Sequence, residues 1–390
     1  MYTLAERIDS SNASEIEKEL VEQSPEIIDA GQLKYISSAG LRALLKLSKE
    51  NGKKTVIENV SPEIYEIFET TGFTDILDVR RKLREVSVDG LTVIGKGSWG
   101  TVYRIDDETV VKVYDTPKNM MFPDEAQKEA DISREVFKRG LPTAISFSLA
   151  KCGEYKAAIY ESINGDTLGS EIEKDPEKLP ELVSGFAAIG RQLHHTEAPG
   201  DVFRDVISIR GGSLDKIFSS YLDAEEINRF NALIDSIPDR NYMVHTDFHY
   251  DNVMMQNGEM VLIDVGGVAH GHPAFDFMSM YIWAYHPGYV KTRFSEKQPE
   301  MDRKIFDTFL ADYFEDRLND SNRTILFEVL DFVSQMIMIS VNASRACGQI
   351  GENPGDDEKA KVKQMMQPIL QYSPETIRAK FEVVDKQLFV

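Results

Sequence analysis

Cysteine is scarce in this chain: only Cys152 and Cys347 occur among its 390 residues. Two cysteines are too few for a disulfide framework, which indicates a protein that folds in a reducing compartment. The N-terminal segment contains acidic residues and lacks the apolar core of a secretory signal peptide. We therefore expect a cytoplasmic protein.

Positive charge is also under-represented. The chain has 44 lysine and arginine residues against 65 aspartate and glutamate residues, which gives a formal net charge of −21. Because a nucleic-acid-binding surface depends on basic patches, this balance argues against DNA or RNA as a partner. It is compatible with the attraction of cationic substrates such as amines.

An uninterrupted apolar segment of membrane-spanning length is lacking as well. The apolar stretch from Ile325 to Val341 is interrupted by Glu328 and Asp331. It therefore indicates a buried helix of a helical lobe and not a membrane span. We expect no membrane partner.

The most informative motif lies between His245 and Asp264. Asp247 precedes Asn252 by five residues, and Asp264 follows Asn252 by twelve. Gly258 and Glu259 separate two apolar runs in the manner of a hairpin turn, which would bring the three polar side chains together. Such a set suits phosphoryl transfer, in which a carboxylate accepts the proton of an attacking hydroxyl and two oxygen ligands hold Mg²⁺.

A glycine-rich turn lies upstream, with Gly95, Gly97 and Gly100 spaced as Gly-x-Gly-x-x-Gly. In a dinucleotide-binding fold this turn would open a helix, but the residues from Thr101 onward alternate like a strand. The pattern therefore predicts a hairpin whose main-chain N–H groups contact phosphates. The following strand, at 109–114, carries Lys112 among apolar neighbours.

Taken together, these motifs resemble the protein-kinase-like fold, most closely its aminoglycoside phosphotransferase and choline kinase branch. The resemblance implies an α+β domain with two lobes, a β-rich N-lobe at 86–165 and a helical C-lobe at 166–390. It implies ATP and Mg²⁺ as cofactors and an alcohol group as the acceptor. The residue pattern does not distinguish ATP from GTP.

The same resemblance assigns roles to individual residues. Asp247 would act as the catalytic base or orient the hydroxyl, and Asn252 and Asp264 would bind Mg²⁺. His245 and Asp276 would support the catalytic loop. The nucleotide contacts would come from the glycine turn, the strand lysine, one glutamate of a helix at 123–139 and the hinge after residue 157: Gly95, Gly97, Gly100, Lys112, Glu129 (with Glu135 as the alternative), Glu161 and Ile163.

Two features concern the acceptor. Only eleven residues separate Asp264 from Asp276, where a protein kinase has a long activation segment, and this favours a small-molecule acceptor. The residues that bind the acceptor are not defined by the sequence. Four side chains could line its pocket or simply pack in the C-lobe: Asp201, Asp205, Trp283 and Tyr285.

The first 85 residues follow a different pattern. Strands predicted at 27–30 and 54–58 alternate with helices that start at Ser38 and Pro62, which indicates a small, largely parallel α/β sheet. The segment from Asp29 to Leu45 resembles the STAS domain of anti-sigma-factor antagonists. By that resemblance Ser38 is a phosphorylation site near a helix N-terminus; the alternative is a helix cap worth about 1 kcal/mol.

Two departures from the STAS pattern affect its interpretation. Ser37 stands where an aspartate commonly precedes the phosphoserine, and we expect the first strand of the family to be absent. An open sheet edge of this kind could pair with another chain, so a protein partner or a homodimer is expected as an alternative to a monomer. The basic run from Arg80 to Glu85 is predicted to connect the two domains.

Two functions remain open. In the first, the chain is a small-molecule kinase for an amino-alcohol, sugar or aminoglycoside-like acceptor, and the STAS domain regulates or assembles it. In the second, it is a signalling protein of the anti-anti-sigma type, whose kinase-like domain phosphorylates Ser38 or a partner or only senses nucleotide.

Overall fold

The computed structural model describes residues 1–51, 55–116, 124–207, 218–286, 290–350 and 354–389. The chain forms two units. The first comprises Met1–Asp89 and Leu149–Ala157, and the second comprises Gly90–Ser148 and Ala158–Val390. The predicted helix start at Pro123 and strand start at Lys54 lie outside the described residues.

The first unit is built on a parallel sheet. Its four strands lie in the order β1 (Tyr2–Thr3), β3 (Ile27–Asp29), β5 (Val56–Val60) and β6 (Asp78–Arg81), and a separate parallel pair joins β2 (Arg7–Ile8) to β4 (Tyr35–Ile36). Three helices complete the unit: α1 (Ala13–Gln23), α2 (Ser38–Asn51) and α3 (Pro62–Thr70). The predicted α/β architecture is confirmed.

One core holds this unit together. Leu20 of α1, Leu47 of α2 and Phe68 of α3 are fully buried with the strand residues Ile28 and Ile57. Each helix has apolar residues along one face, and this face is buried against the apolar face of the sheet.

The segment at 80–85, predicted to connect the domains, contains strand residues. Arg80 and Arg81 belong to β6, which pairs with β5, and β7 (Arg84–Glu85) pairs in parallel with Ala150 and Lys151. The charges obscured the strand, because Arg80 forms ion pairs with Asp78 and Glu58 on the exposed side of the sheet. Leu77, just before the strand, is fully buried.

The second unit begins with β-structure. The strands β8 (Thr92–Lys96), β9 (Thr101–Arg104) and β10 (Thr109–Val113) form an antiparallel meander. Helix α4 (Glu125–Lys138) follows β10 in the chain. The second unit then contains residues 146–148 of β11 (Ser146–Cys152) and residues 158–161 of β12 (Tyr155–Glu161).

The remainder of the second unit is mainly helical. Two small sheets lie among the helices. In one, β13 (Asp166–Thr167) pairs with the hairpin of β15 (Val253–Gln256) and β16 (Glu259–Leu262). In the other, β14 (Met243–Val244) pairs with β17 (Ala269–His270). The helices are α5 (Leu168–Lys174), α6 (Leu179–His194), α7 (Ala224–Ile234), α8 (Ala274–Tyr285), α9 (Met301–Phe314), α10 (Asp320–Ile350), α11 (Asp356–Leu370) and α12 (Pro374–Gln387). The sheet-rich start and helical end agree with the predicted N-lobe and C-lobe.

A continuous core joins these helices. Phe186 of α6 stacks on Phe248 at 4.6 Å between ring centroids, and Phe277 of α8 and Phe309 of α9 lie 5.5 Å apart. Within the described residues, one helix, α10, is long and apolar enough to cross a membrane by length and composition alone. It also contributes Leu326, Val329 and Val333 to the buried core of the lobe, as a core helix does.

Candidate active site

The glycine-rich turn joins β8 to β9, as the alternation after Thr101 predicts. The N–H of Gly97 donates to the carbonyl of Gly100 at 2.9 Å and closes the turn. At Gly100, a Cβ atom would lie 2.1 Å from the carbonyl oxygen of Val113, so only glycine fits where this strand meets β10. The turn is thereby fixed directly beside the strand that carries Lys112.

Lys112 is held by a helix glutamate. Its Nζ donates to both carboxylate oxygens of Glu129, at 2.6 and 2.8 Å. Glu135, the alternative from the sequence, pairs with Lys138 and Arg139 instead. Burial alone would lower the pKa of Lys112, but the charges of Glu129 and Asp264 outweigh it and hold the pKa above its ordinary value. Lys112 is therefore a fixed cation.

Asp264 lies at the end of the β15–β16 hairpin, one residue beyond Ile263. Its backbone is left-handed, with φ 56° and ψ 40°, a conformation that costs a non-glycine residue about 1 kcal/mol and that clusters at functional sites. One carboxylate oxygen lies 3.5 Å from Lys112 Nζ, and about half of the side chain is exposed. The hairpin turn itself consists of Asn257 and Gly258, both with positive φ, one residue earlier than predicted.

Asn252 bridges the two aspartates of the motif. Its Nδ2 donates to the main-chain oxygen of Asp247 at 2.8 Å and to the carboxylate at 3.4 Å. Its main-chain oxygen accepts from the N–H of Ile263 at 3.0 Å, next to Asp264. Since the amide nitrogen faces Asp247, the amide oxygen Oδ1 remains to bind a ligand.

A buried carboxylate supports the catalytic loop. Asp276 is fully buried, and its two oxygens accept the N–H groups of His245 and Thr246 at 2.7 and 2.6 Å. The same carboxylate binds His194 Nε2 at 2.9 Å, and the other nitrogen of His194 binds Tyr313. These contacts fix the backbone immediately before Asp247.

His245 adds a second support. Its Nε2 lies 3.0 Å from the main-chain oxygen of Ile263, which joins the catalytic loop to the strand that ends at Asp264. The contact agrees with the bracing role implied by the sequence, and it places no ring atom on the Asp247 carboxylate.

Sequence reasoning missed His249, whose ring contacts Trp283, one of the four acceptor-pocket candidates. His249 Nδ1 accepts the N–H of Asp251, and Nε2 lies 3.6 Å from the Asp247 carboxylate. The ring of Trp283 lies 4.6 Å from that of His249. Trp283 follows Asp276 by two helical turns on α8, so the two side chains lie near the same face of that helix.

The other acceptor-pocket candidates differ from Trp283. Tyr285 donates to Asp307 at 2.6 Å and accepts from Arg323, contacts that are structural. Asp205 accepts the N–H of Ile207, and Asp201 is exposed.

The predicted adenine contacts lie where β12 ends. The N–H of Glu161 is already used by the carbonyl of Ile145, at 2.9 Å, so Glu161 could offer only its carbonyl. Within the described part of the chain, the N–H of Ile163 has no acceptor. This segment therefore presents one acceptor and one donor at neighbouring positions, the pattern that an adenine edge requires.

The donor set fits magnesium better than a protein-held transition metal. Among the described residues, no group of three or more His, Cys, Asp or Glu side chains is arranged to hold a metal ion. One carboxylate (Asp264) and one amide oxygen (Asn252) form a small, hard donor set. Mg²⁺ is typically bound in this way, with the remaining positions filled by phosphate oxygens and water.

In the first unit, the Ser37 hydroxyl accepts the N–H groups of Ala39 and Gly40, at 3.2 and 3.5 Å, and so caps α2. The capping alternative for Ser38 is therefore wrong, since its neighbour fills that role. Ser38 is exposed in the first turn of the helix.

This geometry agrees with the class of phosphoryl-transfer enzymes with a kinase-like fold, since Lys112, Glu129 and Asp264 are in direct contact within one unit. A model of the phosphotransferase enzyme family matches residues 90–317, more than half of the chain. The chain therefore belongs to that family of phosphotransferase enzymes.

The STAS family model matches residues 1–86, which identifies the first unit as a STAS domain. A candidate anti-sigma factor antagonist, BtrV of Bordetella bronchiseptica, is 36% identical over 80 residues, covering 18% of this chain and 69% of BtrV.

Solved structures are similar to most of the chain. The ADP-bound aminoglycoside phosphotransferase APH(2″)-Ib is 16% identical, with a TM-score of 0.45, over 82% of this chain and 99% of that one. A choline/ethanolamine kinase family protein from Mesorhizobium loti is 15% identical, with a TM-score of 0.44, over 75% and 92%. The family assignment does not depend on these matches.

Proposed function

We propose that the chain transfers the γ-phosphoryl group of ATP to a hydroxyl of a small molecule, an amino-alcohol, sugar or aminoglycoside-like compound, in the cytoplasm. The observation that carries this proposal is the joining of Lys112, Glu129 and Asp264 by direct contacts. Asp247 is bonded to Asn252, which in turn accepts the N–H of the residue before Asp264.

The roles follow from these contacts. Lys112, oriented by Glu129, binds nucleotide phosphate, and the N–H groups around Gly97 lie along the phosphates. Asn252 and Asp264 would hold Mg²⁺, which supplies charge neutralisation at the phosphates when bound. Asp247 accepts the proton of the acceptor hydroxyl as the new P–O bond forms and the bond to ADP breaks.

The exposure of Asp247 supports a diffusible acceptor. About half of its side chain is accessible, and the ring of His249 lies beside its carboxylate. Trp283 packs against the ring of His249. Aromatic side chains of this kind suit the apolar face of a sugar or a cationic amino group, which aromatic rings attract. An acceptor of this kind also agrees with the acidic net charge.

The experiment is ATP consumption with magnesium in the presence of pooled amino-alcohols, sugars and aminoglycosides. Stimulation by one pool, absent in Asp247→Asn, would support a small-molecule kinase and begin to identify the acceptor. MgADP binding by both proteins is the control for the variant. No stimulation by any pool, with nucleotide binding intact, would favour a signalling role.

That second role has its own supporting observation. Ser38 is exposed at the helix N-terminus and is not used as a cap, and Arg42, one turn further on, is exposed as well. A phosphate on Ser38 would lie near both the helix N-terminus and this arginine. Incubation with ATP followed by mass spectrometry, with Ser38→Ala as control, tests self-phosphorylation; an unmodified Ser38 would count against it.

The STAS domain would provide protein contacts in either case. β1 lies at one edge of its sheet and pairs only with β3 among the described residues, so it could pair with a partner or with a second copy. Light scattering tests the homodimer, and a monomer at all concentrations would contradict it.

A further inference from the structure

The turn that follows Asp264 lies directly against helix α4. It consists of a single 3₁₀ turn, Val265–Gly267, and Gly266 at its centre faces the side chain of Glu129. A Cβ atom at position 266 would lie 2.4 Å from Glu129 Cγ, 3.0 Å from Cβ and 3.1 Å from Cδ. The first distance is far inside van der Waals contact.

The backbone at this position does not itself require glycine. Positive φ angles occur at five described glycines, and Gly266 is not one of them. The lack of a side chain is therefore needed for the approach of Glu129 and not for the shape of the turn.

Glu129 has little freedom to move aside. Both of its carboxylate oxygens bind Lys112, and only 10% of its side chain is exposed. The nearest atom to the added Cβ would be Cγ, in the middle of the side chain. Displacing it would change the path of the whole side chain and withdraw the carboxylate from Lys112.

The neighbouring glycine faces the other way. A Cβ at Gly267 would lie 2.6 Å from Thr246 Oγ1, and that hydroxyl donates to the carbonyl of Gly267 at 3.1 Å. The turn thus contacts helix α4 through Gly266 and the catalytic loop through Gly267, with Asp264 immediately before both.

We propose that Gly266 is a positioning residue: it allows the turn after Asp264 and helix α4 to close on each other, so that Asp264, Lys112 and Glu129 are held as one set. Nucleotide binding at Lys112 and metal binding at Asp264 are thereby coupled through one glycine. The functional half of this inference rests on the proposed function.

A double-mutant cycle tests the contact. Gly266→Ala, Glu129→Ala and the double variant are compared for MgADP affinity and for thermal stability without nucleotide. Gly266→Ala is expected to weaken MgADP binding by about tenfold or more and to lower the Tm. In the Glu129→Ala background, Cγ and Cδ are gone and only the 3.0 Å approach to Cβ remains. The same substitution is therefore expected to change the affinity much less there, by about threefold or below.

Gly200→Ala serves as the matched control, because a Cβ there would meet only His270 Nε2 at an ordinary 3.7 Å. It should bind MgADP like the wild type. If Gly266→Ala fails to fold, the double variant should recover folded protein.

Unchanged affinity and Tm in Gly266→Ala would overturn the proposal, as would equal losses in both backgrounds or a double variant that also fails to fold. Lack of MgADP binding by the wild type would instead overturn the proposed function, and the stability cycle would still decide whether Gly266 acts through Glu129.

Discussion

Asp276 is the residue on which the geometry of the catalytic loop depends most directly. Its buried carboxylate accepts two main-chain N–H groups and one imidazole nitrogen. Because the side chain is fully buried, water does not replace these hydrogen bonds when they are lost. Its importance is therefore both structural and functional, and the two can be measured separately.

We expect Asp276→Ala to lower the free energy of unfolding by roughly 3–5 kcal/mol, since it leaves buried donors without an acceptor. Activity should fall as well, because the backbone before Asp247 is released. Urea unfolding measures the first effect. Asp239→Ala, at an exposed site, should change stability by less than about 0.5 kcal/mol; equal effects in the two variants would contradict the assignment.

Asp264 allows a second test at this scale. Asp264→Asn removes the charge that would bind magnesium while keeping the side-chain shape, so metal-dependent nucleotide turnover should fall by about 100-fold or more. The fold should be retained, because about half of the side chain is exposed. Titration of Mg²⁺ in a turnover assay gives the result, and unaltered turnover would rule out the metal-ligand role.

The site residues divide into those that sequence reasoning could find and those it could not. Asp247, Asn252, Asp264 and Lys112 stand at fixed spacings within short hairpins, so local sequence sets their geometry. His249 and Trp283 meet across a tertiary contact that no spacing encodes. Gly266 resembles any turn glycine until the position of α4 is known.

At the scale of elements, β6 (Asp78–Arg81) is a strand that the sequence pattern did not indicate. Three of its four residues are charged, and Val79 is its one apolar residue. The helices were easier, since α2 and α3 carry apolar residues at helical spacing and α3 begins with Ser61 as cap and Pro62. A long helix repeats its spacing of apolar residues several times, whereas a short strand does not, so the helices are easier to predict from sequence than β6.

The C-terminal helix α12 is tied to the start of α8 by a pH-sensitive contact. His272, fully buried between Phe381 and Phe389, binds Asp385 at 2.9 Å, and Arg240 binds the same carboxylate. Burial lowers the pKa of His272 below its ordinary value, despite the opposing effect of Asp385. The imidazole is thus neutral in the folded state at pH values where the unfolded chain takes up a proton.

The sign of the effect follows from proton uptake. Because the unfolded state binds more protons below about pH 6.5, stability should decrease as the pH falls from there, by at most about 1.4 kcal/mol per pH unit for this one group. We expect His272→Gln to flatten this part of the curve. Urea unfolding between pH 7.5 and 5 measures it; identical slopes in both proteins would exclude His272 as the cause.

At the scale of the whole molecule, the residues that the structure describes form two hydrophobic cores with no residue in common. One lies in the STAS domain and the other in the helical part of the kinase-like domain. Domains with separate cores commonly unfold as separate cooperative units. All of the proposed nucleotide contacts belong to the second unit.

We therefore expect two unfolding transitions, of which MgADP stabilises only one, by about 2.7 kcal/mol at 100 times its Kd. Leu47→Ala, which removes a fully buried side chain of the STAS core, should lower only the other transition, by roughly 2–5 kcal/mol. Calorimetry with and without MgADP separates the two, and Asp264→Asn should abolish most of the nucleotide shift while leaving both transitions in place. A single transition that responds both to the nucleotide and to Leu47→Ala would show instead that the STAS and kinase-like domains unfold as one unit. Energetic coupling between the two domains would then be the first candidate for how the STAS domain regulates transfer.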